Sequence, residues 1–138
     1  MTIANIEIFK LNTTLKEPFV IAIETITHAE SIVVKMTTDT GIIGWGECNP
    51  YRSIAGETQA TCYETGLFLS KILRGLDPTN IVGCHREMDK MMTGNRCIKS
   101  AFDMALYDIA AKAANMPLYR FLGGANNRTI TTKRIMGT

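Results

Sequence analysis

The chain has 138 residues, 46% of them hydrophobic and 20% charged, which is one domain's worth of ordinary globular composition. Fifteen Lys and Arg against thirteen Asp and Glu leave a formal charge of +2, so no electrostatic feature calls for a nucleic acid or an anionic membrane as partner. The hydrophobic share excludes disorder, and no apolar run reaches the roughly 18 residues that a membrane span needs.

In chain order, residues 3–12 alternate Ile6 and Ile8 with polar neighbours, a pattern that Phe9 blurs before Leu11, and predict a strand with one buried face. Residues 18–24 are apolar enough for a strand or a hydrophobic loop. Residues 31–37, Ser-Ile-Val-Val-Lys-Met-Thr, predict a further strand from their β-branched content. Thr38-Asp39-Thr40-Gly41 supplies turn chemistry, and residues 42–47 return as the hairpin partner.

The period then changes. Residues 57–74 place Ala60, Tyr63, Leu67 and Ile72 near helical spacing and stop at Arg74-Gly75. Asp77-Pro78 reads as an N-cap followed by Pro in the first helical position. Ile81, Val82, Met88, Met91 and Met92 then form an apolar stripe. Residues 96–115 predict the clearest helix, since Ile98, Ala101, Phe102, Ala105, Leu106, Ile109 and Ala113 fall on one face of a 3.6-residue period. Lys99 with Asp103, and Asp108 with Lys112, are spaced as i,i+4 ion pairs. Residues 118–122 add a short helical turn stopped by Gly123-Gly124, and 129–136 begin something strand-like. An antiparallel meander of three or four strands followed by a block of helices is an α+β domain.

Residue chemistry alone points to no reaction. Gly41-Ile-Ile-Gly44-Trp-Gly46 lacks the spacing of a phosphate loop, and glycines closing a hairpin explain it better. Cysteines at 48, 62, 84 and 97 form no C-x-x-C pair and read as reduced, buried small hydrophobes, with a zinc site poorly supported. His28 and His85 have no partner identifiable from spacing. Asp103 and Asp108 lie about 140° apart around their helix, which argues against paired-carboxylate chemistry. The N-terminus shows no basic segment followed by an apolar one, so no signal peptide is expected.

Ser100-Ala101-Phe102-Asp103-Met104-Ala105-Leu106-Tyr107-Asp108-Ile109-Ala110-Ala111-Lys112, followed by Pro117-Leu118-Tyr119-Arg120-Phe121-Leu122-Gly123-Gly124, resembles the N-terminal capping domain of the enolase superfamily. The hairpin Gly41-Ile42-Ile43-Gly44-Trp45-Gly46-Glu47 fits the same family. Glu17-Pro18-Phe19, Thr27-His28-Ala29-Glu30-Ser31 and Ile54-Ala55-Gly56-Glu57 resemble the dipeptide epimerase branch of its mandelate racemase/muconate-lactonizing group.

The resemblance implies an α+β capping domain over residues 1–125, with 126–138 starting a (β/α) barrel whose remainder lies outside this chain. It implies an isomerase that removes the proton α to a carboxylate and inverts the carbon through an enolate stabilised by Mg²⁺. The metal-binding carboxylates and both catalytic lysines would lie on the barrel, so no catalytic or metal-ligating residue is assigned here, and the 138 residues alone are expected to be inactive. Lys133-Arg134 depart from the family's less basic strand.

The cap would contribute substrate shape through two loops at about 16–28 and 48–57. Phe19 and Ile54 match an apolar pocket wall, with plain packing as the alternative. Glu24 stands where epimerases of Ala-Glu dipeptides carry an Arg, which implies a dipeptide with a neutral or cationic side chain. The expected partners are a dipeptide, the C-terminal barrel and a second copy in a homo-oligomer, with no nucleic acid and no membrane, in the cytoplasm. A cycloisomerase-like or o-succinylbenzoate synthase-like enzyme, or a barrel-less structural domain, is the alternative.

Overall fold

The computed structural model of the chain describes residues 1–125, 129 and 131. Three antiparallel strands form one sheet in the order β1-β2-β3: β1 is Ile3–Val20, β2 Thr25–Thr38 and β3 Ile43–Cys48. Alternation sets which face is buried. Ile32, Val34 and Met36 of β2 are wholly buried, and in register with them stand Cys48, Gly46 and Gly44 of β3. On the other side Ile8 pairs with Val34 and Ile6 with Met36.

The segment 18–24 is not a strand of its own. It splits into the end of β1 and the turn that leads to Thr25, and Ile21 N–H donates to the Glu24 carbonyl across that turn. The β1–β2 hairpin is therefore longer than the sequence pattern suggests, with a register irregularity between Thr14 and Phe19.

Among the described residues five helices follow: α1 Arg52–Ala55, α2 Gln59–Leu73, α3 Ile81–Met91, α4 Arg96–Ala113 and α5 Leu118–Phe121. α4 lies on the sheet. The predicted stripe holds from Ile98 to Ile109, with Phe102 the largest fully buried side chain, while Ala113 is exposed. Its larger apolar side chains, Ile98, Phe102, Leu106 and Ile109, each contribute about 1.5–3 kcal/mol on burial. The glycines of β3 make this packing possible. A Cβ on Gly46 would collide with the Ala101 carbonyl, and one on Gly44 with the Ala105 carbonyl and the Ile109 side chain. These two glycines serve close approach of helix to strand; hairpin closure falls to Gly41, at φ +83°.

Two local expectations are corrected here. The buried face of α2 is Cys62, Gly66, Leu69 and Leu73, whereas Ala60 and Leu67 are exposed. Cysteine and glycine carry little weight in a hydrophobic pattern, so the stripe was read on the wrong side. The cap of α3 is Asn80, whose side chain accepts from Gly83 N–H at 3.1 Å. Asp77 instead closes a turn onto Thr79, accepting from its N–H and its hydroxyl.

Of the two predicted i,i+4 pairs, Lys112–Asp108 forms at 2.8 Å. Lys99 does not reach Asp103. It is buried and donates to Asp89 at 2.7 Å and to the Met92 carbonyl, which ties the end of α3 to α4. The strand-like reading over 129–136 lies almost entirely outside the described residues, as do Lys133 and Arg134.

Candidate functional site

The outer part of the β1–β2 hairpin, residues 11–30, contains no buried residue. It is an ordered two-stranded arm beyond the core, and its base meets the loop that leads from β3 into α1 and α2. Gln59, at the start of α2, donates to Asn12 Oδ1 at 2.6 Å and to the Ser31 carbonyl at 2.9 Å, while Asn49 donates to Ser31 Oγ at 3.1 Å. Arm and loop enclose a cleft of about 390 Å³, lined among others by Leu15, Glu24, Ile26, His28, Glu30, Tyr51, Arg52 and Gln59.

Glu24 sits at the centre of the charge pattern in this cleft. The Tyr51 hydroxyl donates to its Oε1, and Arg52 donates to its Oε2 at 2.9 Å. The carboxylate beside Tyr51 holds the phenol above its ordinary pKa, because losing the proton would break that bond and set two negative charges together. Glu24 is thus not an isolated loop carboxylate: Arg52 balances its charge. His28 bonds the neighbouring Thr27 hydroxyl at 2.8 Å, and among the contacts described no third group orients its imidazole.

The structure does not gather the three sequence-derived residues into one wall. Glu24 lines the cleft, whereas Phe19, paired across the arm with Ile26, does not. Ile54, at 86% exposure, borders a second cleft with Glu57, Asn95, Arg96 and Cys97.

Two arrangements escaped the sequence. His85 pairs with Asp103 across α3 and α4, on the rim of a charged cleft that also holds Asp89, Arg96 and Lys99. Glu57 is buried and accepts from the N–H groups of Cys97 at 2.9 Å and Ile98 at 3.4 Å. It thereby caps α4, whose own N-cap Asn95 makes no side-chain capping bond. The sequence offered Glu57 only as part of a motif. Which helix a carboxylate caps 40 residues downstream is a tertiary fact.

Residues 3–123 match the family described as mandelate racemase / muconate lactonizing enzyme, N-terminal domain. The chain belongs to this family. The enolase-superfamily resemblance and the α+β fold read from the sequence are borne out. The capping domain is 45% identical to the D-Ala-D/L-Ala epimerase of Cytophaga hutchinsonii over 96% of this chain and 36% of that protein. It is 42% identical to the hydrophobic dipeptide epimerase of Enterococcus faecalis, over 85% of this chain and 33% of the relative. The crystal structure of the Cytophaga dipeptide epimerase, complexed with Mg and D-Ala-L-Val, superposes with a TM-score of 0.93 over 96% of this chain and 36% of that one. The Enterococcus enzyme complexed with Mg and L-Leu-L-Tyr superposes at 0.90, with 39% identity, over 95% and 37%. The chain therefore spans about a third of the length of the curated relatives it matches.

Magnesium, which those two structures contain, takes hard oxygen donors in an octahedral arrangement. Among the described residues of the capping domain, the one group of three donors that converges is Cys48, Cys62 and Cys97. A set of thiols does not fit Mg²⁺. No helix among the described residues is long and apolar enough to cross a membrane.

Proposed function

We propose that this chain is the substrate-selecting cap of a Mg²⁺-dependent dipeptide epimerase, over residues 1–125, with residues 126–138 leading into a catalytic barrel. The observation that carries the reading is the match along 96% of the chain to an epimerase solved with Mg and a dipeptide, at 45% identity and a TM-score of 0.93. The reaction would be inversion of the dipeptide α-carbon by loss and return of its proton. The ion and the acid–base groups would come from beyond the residues described, and the cap alone would be inactive.

Within that enzyme the arm and the loop at 48–57 would close over the substrate. Phe19 and Ile54 would present apolar surface, since both are exposed and neither is held in the core. Glu24 would shape charge preference. Because Arg52 and Tyr51 already engage it, the pair offers a substrate neither a free cation nor a free anion. We infer a preference for neutral dipeptides, which fits the Cytophaga D-Ala-D/L-Ala epimerase and the Enterococcus hydrophobic dipeptide epimerase better than a carboxylate-bearing side chain would.

The four free cysteines support a reducing, cytoplasmic setting. Exposed Met116, Leu118, Tyr119, Phe121 and Leu122 around α5 support packing against a further domain and, without it, self-association of the chain.

The test is deuterium incorporation at the dipeptide α-carbon in heavy water with Mg²⁺. The chain alone should incorporate none. A chimera in which residues 3–123 replace the matched N-terminal part of the Cytophaga epimerase should incorporate it. A folded chimera that turns over no dipeptide, or that acts instead on a muconate-type lactone or an o-succinylbenzoate precursor, contradicts the reading. Exchange by the chain alone would overturn the assignment of a purely capping role.

A further inference from the structure

Cys48 is the last residue of β3, Cys62 stands in the first turn of α2 and Cys97 in the first turn of α4. Three elements from distant parts of the chain thus deliver one thiol each to a single point, where the Sγ atoms all lie within 4.8 Å of one another. Cys48 and Cys62 are buried and Cys97 is half-buried. Small hydrophobes filling a core need no such convergence of sulfur on sulfur.

A carboxylate stands beside the trio. Glu57 Oε2 lies 3.3 Å from Cys62 Sγ, and the carboxylate is held in place by the Cys97 and Ile98 N–H groups. The same corner opens to solvent, because Cys97 and Glu57 border the cleft of about 550 Å³ beside Ile54, Asn95 and Arg96. Donor set, fixed carboxylate and entrance therefore coincide.

We propose that Cys48, Cys62 and Cys97, with Glu57 as fourth donor, form a structural site for one thiophilic divalent ion, Zn²⁺, which clamps β3, α2 and α4 together. A tetrahedral zinc at about 2.3 Å from each sulfur sets the sulfurs about 3.8 Å apart, so the trio has to close by no more than about 1 Å. Three thiolates and a carboxylate around a divalent ion carry excess negative charge. The N-terminus of α4 points its N–H groups at Glu57, and Arg96 stands at the mouth, both of which offset that charge. On binding, each thiol gives its proton to solvent and the ion takes the proton's place, so three protons leave for one ion gained. The site does not depend on the epimerase reading, because nothing in it uses the barrel or the substrate.

The test is anaerobic titration of the reduced full chain with Zn²⁺ against a chromogenic chelator, and in parallel with Co²⁺ followed by its thiolate charge-transfer and d–d absorption. One ion per chain, bands of a tetrahedral three-thiolate complex and a raised Tm are expected. Cys62→Ala and Cys97→Ala should each weaken binding at least 100-fold, while Cys84→Ala, whose thiol faces the Asp77 carbonyl away from the trio, should not. The Co²⁺ spectrum of the unsubstituted chain reads out the site even where a substitution prevents folding. No binding, binding without thiolate bands, or a disulfide among the three under the same reducing conditions would overturn the proposal.

Discussion

The outer arm, residues 11–30, and the block formed by β3 and α4 obey opposite constraints. In the block, β3 faces α4 with two glycines because any side chain would strike the helix backbone, and α4 answers with Ala101 and Ala105. In the arm, backbone pairing runs to Thr14–His28, shifts register, and resumes at Phe19–Ile26 and Val20–Thr25, yet no residue is buried. The ladder fixes where those side chains stand, and packing leaves their identity free. That combination of ordered backbone and unconstrained side chains is what a specificity loop requires.

Substitutions break or sharpen this contrast. Phe102→Ala should cost about 3–5 kcal/mol by urea denaturation, because its side chain is fully buried in the block. Glu57→Ala, measured with a chelator present, should cost about 2 kcal/mol, since it orphans the Cys97 and Ile98 N–H groups. Gly46→Ala should cost about 1–3 kcal/mol through the enforced shift of α4.

Asp89→Asn tests the buried Lys99 through pH. The Lys99 ammonium holds the Asp89 carboxyl below its ordinary pKa in the folded state. The stability this pair contributes is therefore complete above the unfolded carboxylate value of about 4 and is lost as pH falls through the lower folded value. Thermal melts should show the variant less stable at neutral pH, with the gap closing in acid.

At the bottom of the scale, Phe19→Ala and Glu24→Gln in the arm should change stability by no more than about 0.5 kcal/mol. A loss at either as large as that at Phe102 would erase the distinction between the two regions.

What was legible in the sequence follows the same division. α4 announced itself because its core face is made of residues that only a helical period brings into line, from Ile98 to Ile109. α2 was misfaced because Cys62 and Gly66 bury as completely as leucine without looking hydrophobic. Asp77-Pro78 carried a helix-start signal as strong as that of Asn80, and only the backbone decides between two caps three residues apart.

The site was legible as a pair of loops and not as a geometry. Position 24 could be singled out by its departure from a family pattern, but the pairing with Arg52 joins residues 28 apart through the meeting of arm and loop. Convergence of the cysteines was invisible for the same reason. Their spacing of 14 and 35 residues matches no metal motif, and the sheet-to-helix packing alone brings them together.

The most direct test of the arm as selector is the ratio of kcat/KM for Ala-Ala to that for Ala-Glu, measured in the chimeric epimerase with Glu24 intact and with Glu24→Arg. With Glu24 intact, the neutral dipeptide should be preferred. In Glu24→Arg, two guanidinium groups face the cleft where a compensated pair stood, and the ratio should shift at least tenfold towards Ala-Glu, with the fold unchanged. An unaltered ratio in a folded, active chimera would contradict the claim that this residue, and the arm that carries it, reads the substrate.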